Sequence, residues 1–410
     1  MAGHAVVIAG GGAAGFFAAI HCAQTNPECA VTILERAPKV LGKVLISGGG
    51  RCNVTHACFD PKELVKAYPR GARELLGPFH HFQPADTVEF FESRGVPTKV
   101  EEDGRMFPVS DCSASIADCL RNTARDCGVT VHTGLGVLEA TERSGRGFLL
   151  SLSDGSSIHA DRFLLATGGN RSSRGLGIAK ALGHTVTPPV PSLFTFVVKD
   201  KRLNGLAGLS VPQAEASVEA SDLCERGPLL VTHWGLSGPA VLRLSAWGAR
   251  ELAQRRYQFK VKVNWLGQES PKGVSQRVDA IRRTNPKKKV VNGPAPELPQ
   301  RLWSRLVRSA GIEDSRPWAT LSREQHGALC RQIGECTFGV SSKSNFKEEF
   351  TTCGGVALPE VDFRTMQSRV CRDLYLAGEV LDIDAVTGGF NFQAAWTTGY
   401  LAGRAMAATD

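Results

Sequence analysis

The six residues from Gly10 to Gly15 carry the most readable chemistry in the chain. Gly10-Gly11-Gly12-Ala13-Ala14-Gly15 fits the spacing G-x-G-x-x-G, which suits a bound dinucleotide. In such a pattern Gly10 permits a tight turn, Gly12 lets backbone approach a pyrophosphate, and Gly15 lets a helix close on the preceding strand. The start of that helix, with Ala13 and Ala14, offers free N–H groups to phosphate. Glu35 stands 20 residues beyond Gly15, at the end of the next apolar run. A carboxylate there accepts hydrogen bonds from the adenosine ribose hydroxyls. The pattern by itself does not choose between NAD and FAD.

The elements needed to position these residues can be read around them. HAVVIA (4–9) reads as a short buried strand, Ala13 to about Gln24 as a helix, and VTILE (31–35) as the second strand of a βαβ opening. Helices are expected over 84–94 and 113–127, and strands over 129–132 and 135–140. FLLSLS (148–153), Asp154-Gly155 and IHADRFLLA (158–166) read as a hairpin, because Asp-Gly suits a type I′ turn. Around Pro188, Pro189 and Pro191 the texture changes. FTFVV (194–198) and YQFKVKVNW (257–265) alternate, which predicts a β-rich insert. Helices follow over 275–284, 299–310 and 321–335. RDLYLAGEVLD (372–382) returns to the strand-then-glycine style, and a final helix runs from about Phe392 to Ala407. The reading is α/β: a Rossmann-like domain from 1–190 and 345–410, an inserted β-rich subdomain over 191–270, and a helical one over 271–344.

Composition narrows the classes. The chain has 410 residues, 42% hydrophobic and 21% charged, as in globular multidomain proteins. No apolar run is long enough for a membrane span, and the start lacks the basic stretch of a secretory signal. The twelve cysteines include no C-x-x-C, which disfavours a paired-cysteine zinc site or a thioredoxin-like dithiol. No metal site is expected, and free thiols in a reducing cytoplasm are the simplest reading. The net charge of +8 is local: residues 271–310 hold ten Lys/Arg and two Asp/Glu. That window is either an acidic partner's docking surface, such as RNA, or a solvated basic face. Trp303 within it either stacks on a partner or packs the helix.

Three further segments carry a resemblance. LLATGG (164–169) is similar to the second glycine signature of glutathione-reductase-like flavoproteins. LYLAGE (374–379) is similar to their C-terminal flavin motif, with Glu379 where Asp is commoner. KVLISGGGRCNVT (43–55), THWGLSGPAVLRLS (232–245), TCGGVALPEVDFRTMQSR (352–369) and AGEVLDIDAVTGGFNFQAAWTTGYLAG (377–403) resemble the BaiN/RdsA-type FAD-dependent oxidoreductases over nearly the whole length. The resemblance implies a glutathione-reductase-type FAD domain with an insert that has a β-barrel part and a helical part. It implies FAD contacts at Gly10, Gly12, Ala13, Ala14, Gly15, Glu35 and Arg36. Further contacts are implied at Lys43, Ser47, Gly48, Gly49, Arg51 and Cys52. The set is completed by Val137, Thr167, Gly168, Gly169, Gly378, Glu379, Asn391, Phe392 and Gln393. The segment NRSSRGLGIAKALGH (170–184) departs from the family pattern, so access beside the cofactor is expected to differ.

The resemblance also implies a reaction class. Bile-acid enoates in one branch and a ribosomal RNA uridine in another both present C=C conjugated to C=O. Hydride reaches the β carbon, which is C6 of uracil, and the α carbon must then take a proton. Cys52 is the candidate acid, its pKa lowered by a nearby cation, or else it packs beneath the flavin. His56 is a second candidate relay. His233 precedes a G-L-S-G-P helix start that holds an anion or serves only as a cap. Arg105 and Phe107 line the pocket or finish a strand. No second G-x-G-x-x-G follows a strand, so NAD(P)H would bind transiently over the flavin, or another reductant serves. Three functions remain open at this point: dihydrouridine formation in large-subunit ribosomal RNA, reduction of a small unsaturated substrate, or RNA binding in assembly with little turnover.

Overall fold

The computed structural model describes residues 3–143, 146–169, 174–293, 296–344 and 351–408. The chain forms two compact units, residues 1–190 with 351–410, and residues 191–350.

The first unit is built on a seven-stranded sheet. Its centre is β1 (Ala5–Ala9), followed by α1 (Ala13–Thr25) and β2 (Ala30–Glu35). Next come α2 (Gly42–Gly50) and α3 (Ser113–Asp126). Then follow β3 (Thr130–Thr133), β4 (Val137–Glu142), β5 (Phe148–Leu152), β6 (Ser157–Ala160) and β7 (Arg162–Leu165). The return segment supplies β8 (Leu374–Leu376) and α4 (Phe390–Ala407). The sheet order is β3-β2-β1-β7-β8, with a short antiparallel edge of 367–368 and 361–362. These five strands are parallel and in step: Ala9 lies opposite Leu34 and Leu165, and Leu165 opposite Leu376. β1 and β7 are buried nearly throughout, which is why they read as continuous apolar runs.

The expected hairpin over 148–166 is only half right. β4, β5 and β6 form an antiparallel three-stranded sheet, while Arg162–Leu165 belongs to the parallel sheet. Asp161 makes the break. Its N–H donates to Ala5 O (2.8 Å) and its carboxylate accepts from Ala5 N (2.7 Å), clipping the chain to the start of β1.

Helices α1 and α4 run parallel and touch backbone to backbone. A Cβ on Gly399 would fall 2.6 Å from Ala14 O, and one on Gly403 would fall 2.3 Å from Ala18 O. Only glycine permits that approach. Because Gly399 meets Ala14, α4 projects eight residues further at its N-terminal end. That is roughly 12 Å at about 1.5 Å per residue.

The second unit contains a closed six-stranded barrel, in the order 196–198, 235–237, 224–231, 210–218, 259–264, 336–343. This corrects the expected boundary at residue 270. The strand Cys336–Lys343 closes the barrel against 259–264 and 196–198, so the helical segment is nested inside the barrel's own sequence. Helices Pro271–Thr284, Gln300–Ser309 and Arg323–Gly334 share one apolar core with it, including Trp265, Trp303 and Trp318. Trp303 is fully buried, stacks on Trp318 at 6.1 Å and donates from Nε1 to Val290 O. It packs the helix and does not face a partner.

Candidate active site

Since the parallel strands end in step, the loops after β1, β2, β7 and β8 open on one edge of the sheet, the usual ligand crevice of such folds. Each glycine in the first loop has a different job. Gly10 has φ +115, and a Cβ there would meet Ala166 O at 2.3 Å; a Cβ on Gly15 would meet Gly10 O at 2.0 Å. Both are needed to bring α1 and the β7 loop together. Gly12 is the helix N-cap and would meet no protein atom within 4 Å. Its face is open space in front of the N–H groups of Ala13 and Ala14, which fits a pyrophosphate.

Glu35 ends β2 beside this loop. One carboxylate oxygen accepts from Gly11 N (2.8 Å), the other from Ala37 N (2.7 Å). The carboxylate is thereby oriented and keeps further acceptor capacity for ribose hydroxyls. Arg36 is exposed, and its aliphatic stem lies against Gly136, next to the buried Val137. These residues gather around the end of β2.

The loops after β7 and β8 meet. A Cβ on Gly169 would lie 2.6 Å from Glu379 O, and Gly378 presses on Ala14 of α1. Gly168 has open space around it beside Thr167. The Glu379 carboxylate pairs with Lys43 Nζ at 2.5 Å. This ion pair joins α2 to the β8 loop. Residues 170–173 of the divergent segment lie outside the described residues, and Arg174–Ala181 forms a helix.

The glycine-rich stretch is unusual. Helix α2 is broken at Ser47, and Gly48, Gly49, Gly50 and Cys52 all have positive φ, from 57 to 86. Arg51, right-handed at φ −95, stands between Gly50 and Cys52 at positive φ, the alternation that turns successive N–H groups toward one side. Gly49 and Gly50 face open space, whereas Gly48 sits on the Phe107 ring. Asn53, in the amide orientation that satisfies both ends, donates to Met106 O and Thr55 O and accepts from Gly389 N at 2.9 Å. That contact fixes the glycine run beside the N-terminus of α4.

Two expectations are corrected here. Cys52 was expected to be acidified by a cation; its side chain is fully buried, and burial pushes the thiol up to about 12. Arg51 beside it is taken by Glu101 (2.6 Å) and Asp111 (3.5 Å), with its guanidinium 4.0 Å over Phe107. Those carboxylates answer its charge, so it is not a free cation that would acidify Cys52. Gln393 was expected at the flavin, but its side chain is fully buried. Its Oε1 accepts from Thr55 (2.6 Å) and Thr87 (2.9 Å), and its Nε2 donates to Thr397 (3.1 Å). Both ends of the amide are used inside the core.

Asn391 spends its amide on both backbone groups of Ala385, and Phe392 stacks on Trp396 at 5.6 Å. What α4 offers outward is its N-terminus, capped by Gly389 at φ +93, which favours negative charge in front of it. His56 stacks on Phe390 at 4.4 Å, with Nδ1 3.0 Å from Gly388 O, and burial lowers its pKa. Phe107 is buried, and Arg105 pairs with Glu101 and Asp103. His233 is exposed in the second unit, ahead of the helix Pro239–Trp247.

The motif reading passed over two further supports. Arg70 forms a two-pronged ion pair with the fully buried Asp384, which carries the loop leading to α4. Asn53 lies within SGGGRCN (47–53), and only the fold shows that it reaches Gly389.

A family model described as the HI0933-like protein Rossmann domain matches residues 4–405. The chain belongs to this family. It is 33% identical over 408 residues to the 3-dehydro-bile acid delta(4,6)-reductase of Clostridium scindens, covering 98% of each chain. It is 29% identical over 405 residues to the ribosomal RNA dihydrouridine synthase of Escherichia coli, covering 96% of each. Among solved structures, it is similar to a 3-ketosteroid-delta4-(5alpha)-dehydrogenase from Rhodococcus jostii RHA1. The TM-score is 0.53 at 16% identity, with 100% of this chain and 97% of that one covered. At that identity the likeness establishes the fold. The chain is a flavin-dependent oxidoreductase of this family, with a Rossmann-type FAD-binding domain. Among the described residues no His/Cys/Asp/Glu group could hold a metal, and no helix is long and apolar enough to cross a membrane.

Proposed function

We propose that this protein uses FAD to reduce a carbon–carbon double bond conjugated to a carbonyl, and that its substrate is a uridine of large-subunit ribosomal RNA or of a precursor particle. The observation that supports FAD is the single sheet edge on which the loops at Gly10–Gly15, Glu35, Thr167–Gly169 and Gly378–Glu379 converge. There the N-terminus of α4 projects beyond that of α1. Adenosine would be held by Glu35, Arg36 and Val137, and the pyrophosphate by Gly12 with the N–H groups of Ala13 and Ala14. The ribityl chain would lie by Lys43 and Glu379, and the ring by Ser47, Gly48, Gly49 and the α4 N-terminus. Bound FAD supplies the hydride. The positive end of α4 stabilises negative charge that develops in front of it. Cys52 is fully covered by the protein's own atoms, which supports a packing role inside the glycine-rich turn rather than an acid facing the ring.

Charge supports RNA. Residues 191–350 hold 25 Lys/Arg against 15 Asp/Glu, a net of +10, so with +8 overall the remaining residues carry −2. The basic excess belongs to the inserted unit, as RNA docking requires. The relative named as a ribosomal RNA dihydrouridine synthase agrees. NAD(P)H is the proposed reductant, visiting the flavin transiently, and the cytoplasm is the proposed location. A second reading, reduction of a small enone, is favoured by the identity to the bile-acid reductase.

Mass spectrometry of ribosomal RNA from a deletion strain tests the first reading. It expects loss of a two-dalton increment at one uridine, restored by the wild-type gene. Unchanged ribosomal RNA, together with flavin-dependent turnover of a steroid enone, would replace it with the second.

A further inference from the structure

The inserted unit carries a groove of about 910 Å³, remote in sequence from every cofactor loop. Its walls come from three places: residues 197–207, including the short turn Lys201–Leu203; the turn 232–235; and Arg301 on the helix Gln300–Ser309. Lys199, Lys201, Arg301, His233 and Trp234 are all exposed along it. Among the described residues no carboxylate pairs with Lys199, Lys201 or Arg301. The one acid in the wall, Asp200, is held by Arg202 through both of its oxygens. The groove therefore presents three uncompensated cations.

Trp234 is a large aromatic left 37% exposed, and its place is fixed by backbone: Val198 N donates to Trp234 O at 2.9 Å, and Thr232 N to Gly235 O at 2.8 Å. Arg301 donates to Gly205 O, which anchors its guanidinium to the 197–207 segment. An anchored aromatic face among unpaired cations is the combination that binds single-stranded nucleic acid: cations follow the phosphates and a base stacks on the ring.

We propose that this groove holds a single-stranded segment of the RNA substrate, with a base stacked on Trp234 and phosphates met by Lys199, Lys201 and Arg301. This rests on the RNA reading above and names the surface that carries it. A volume of this size is within the roughly 300–1,000 Å³ of ligand pockets, enough for a nucleotide or two rather than a folded duplex. The stacking and the cations predict preference for unpaired RNA with little sequence selectivity.

The test uses the FAD-loaded full chain and a fluorescein-labelled oligouridine, read by anisotropy across a salt series, beside the modification assay on ribosomal RNA. Trp234→Ala should weaken binding roughly 5- to 150-fold. The triple variant Lys199→Gln, Lys201→Gln, Arg301→Gln should lower the slope of log K against log salt by about 2, at ~0.7 per phosphate contact. Trp234→Phe should restore most of the loss, and visible flavin absorbance should be unchanged in all variants. If wild type binds and modifies RNA while both variants behave like it, the groove proposal is overturned and the RNA reading stands. If wild type neither binds nor modifies RNA, both fall together. Equal competition by polyglutamate at matched ionic strength would make the groove a general polyanion surface, and would also overturn the proposal.

Discussion

Replacing Gly10 and Gly12 in turn by alanine separates folding from cofactor binding at positions two residues apart. At Gly10 a methyl group would meet Ala166 O at 2.3 Å, in a backbone with φ +115. The strained φ costs about 1–2 kcal/mol, and displacing a packed backbone costs about 1–3 kcal/mol more. A loss of roughly 2–5 kcal/mol is a large share of the ~5–15 kcal/mol that holds a domain folded. At Gly12 the methyl group would meet nothing within 4 Å, and φ is −92. The fold should lose about 1 kcal/mol or less, the difference between glycine and alanine at an N-cap. FAD would meet that methyl where its pyrophosphate approaches the helix. Losing one or two charge-assisted hydrogen bonds at about 1.5–3 kcal/mol each weakens binding at least tenfold. Urea melts of the apoprotein and quenching of FAD fluorescence measure the two quantities separately. A Gly12→Ala protein that binds FAD as tightly as wild type, or a Gly10→Ala protein that melts with it, would refute the assignment.

Three more outcomes follow from particular residues. His21 lies against Phe17, Phe90 and Tyr400 with Nε2 buried, and burial beside Arg94 and Arg404 lowers its pKa to about 3. Its neutral form contributes stability present above its unfolded pKa of 6.5 and lost as pH falls toward 3, at most about 5 kcal/mol. His21→Leu should flatten the urea midpoint over that window; an unchanged slope places the acid sensitivity elsewhere. The Cys52 thiol, raised from 9.0 to about 12, should resist Ellman's reagent until the chain unfolds, while the exposed Cys112 and Cys224 react at once. Its protonated form stabilises the fold below pH 9, a contribution lost between about 9 and 12. Cys52→Ala should leave flavin reduction by the donor intact, and stopped-flow reoxidation by substrate shows whether the thiol has any chemical role. Changing the exposed Lys287, Lys288 and Lys289 to Gln should leave FAD affinity unchanged and flatten the salt slope of RNA binding; an unchanged slope would make that run a solvated loop.

Much of the first unit was legible because its signals are local. A strand, a glycine turn and a helix succeed one another within 25 residues, and Glu35 falls where the next strand must end. Gly10, Gly12 and Gly15 therefore fall at the strand-to-helix turn that their spacing predicts. The break at Asp161 was not legible, since β6 and β7 read as one apolar run and the switch between sheets depends on Ala5, far away in sequence. Helix α2 was hidden by its glycines, which are poor helix formers. Gln393 illustrates the other limit. A motif marks a residue as constrained without saying whether the constraint is a ligand or a core network, and here Thr55, Thr87 and Thr397 claim the amide. The barrel's last strand lies beyond three helices, so periodicity could not assign it to its sheet.

Because β8 and α4 come from the far end of the chain, the flavin domain cannot be finished in the order in which it is made. The ribosome emits β7 and then about 210 further residues before β8 appears. At roughly 5–20 residues per second, that is on the order of 10–40 seconds, during which the edge of β7 has no partner. In that interval residues 191–350 can complete their own barrel, while the earlier strands wait with an open hydrogen-bonding edge. Nascent chains are therefore most exposed to edge-to-edge association in this interval. Because the N-terminus of α4 is among the last parts made, the cofactor crevice is complete only after α4 emerges.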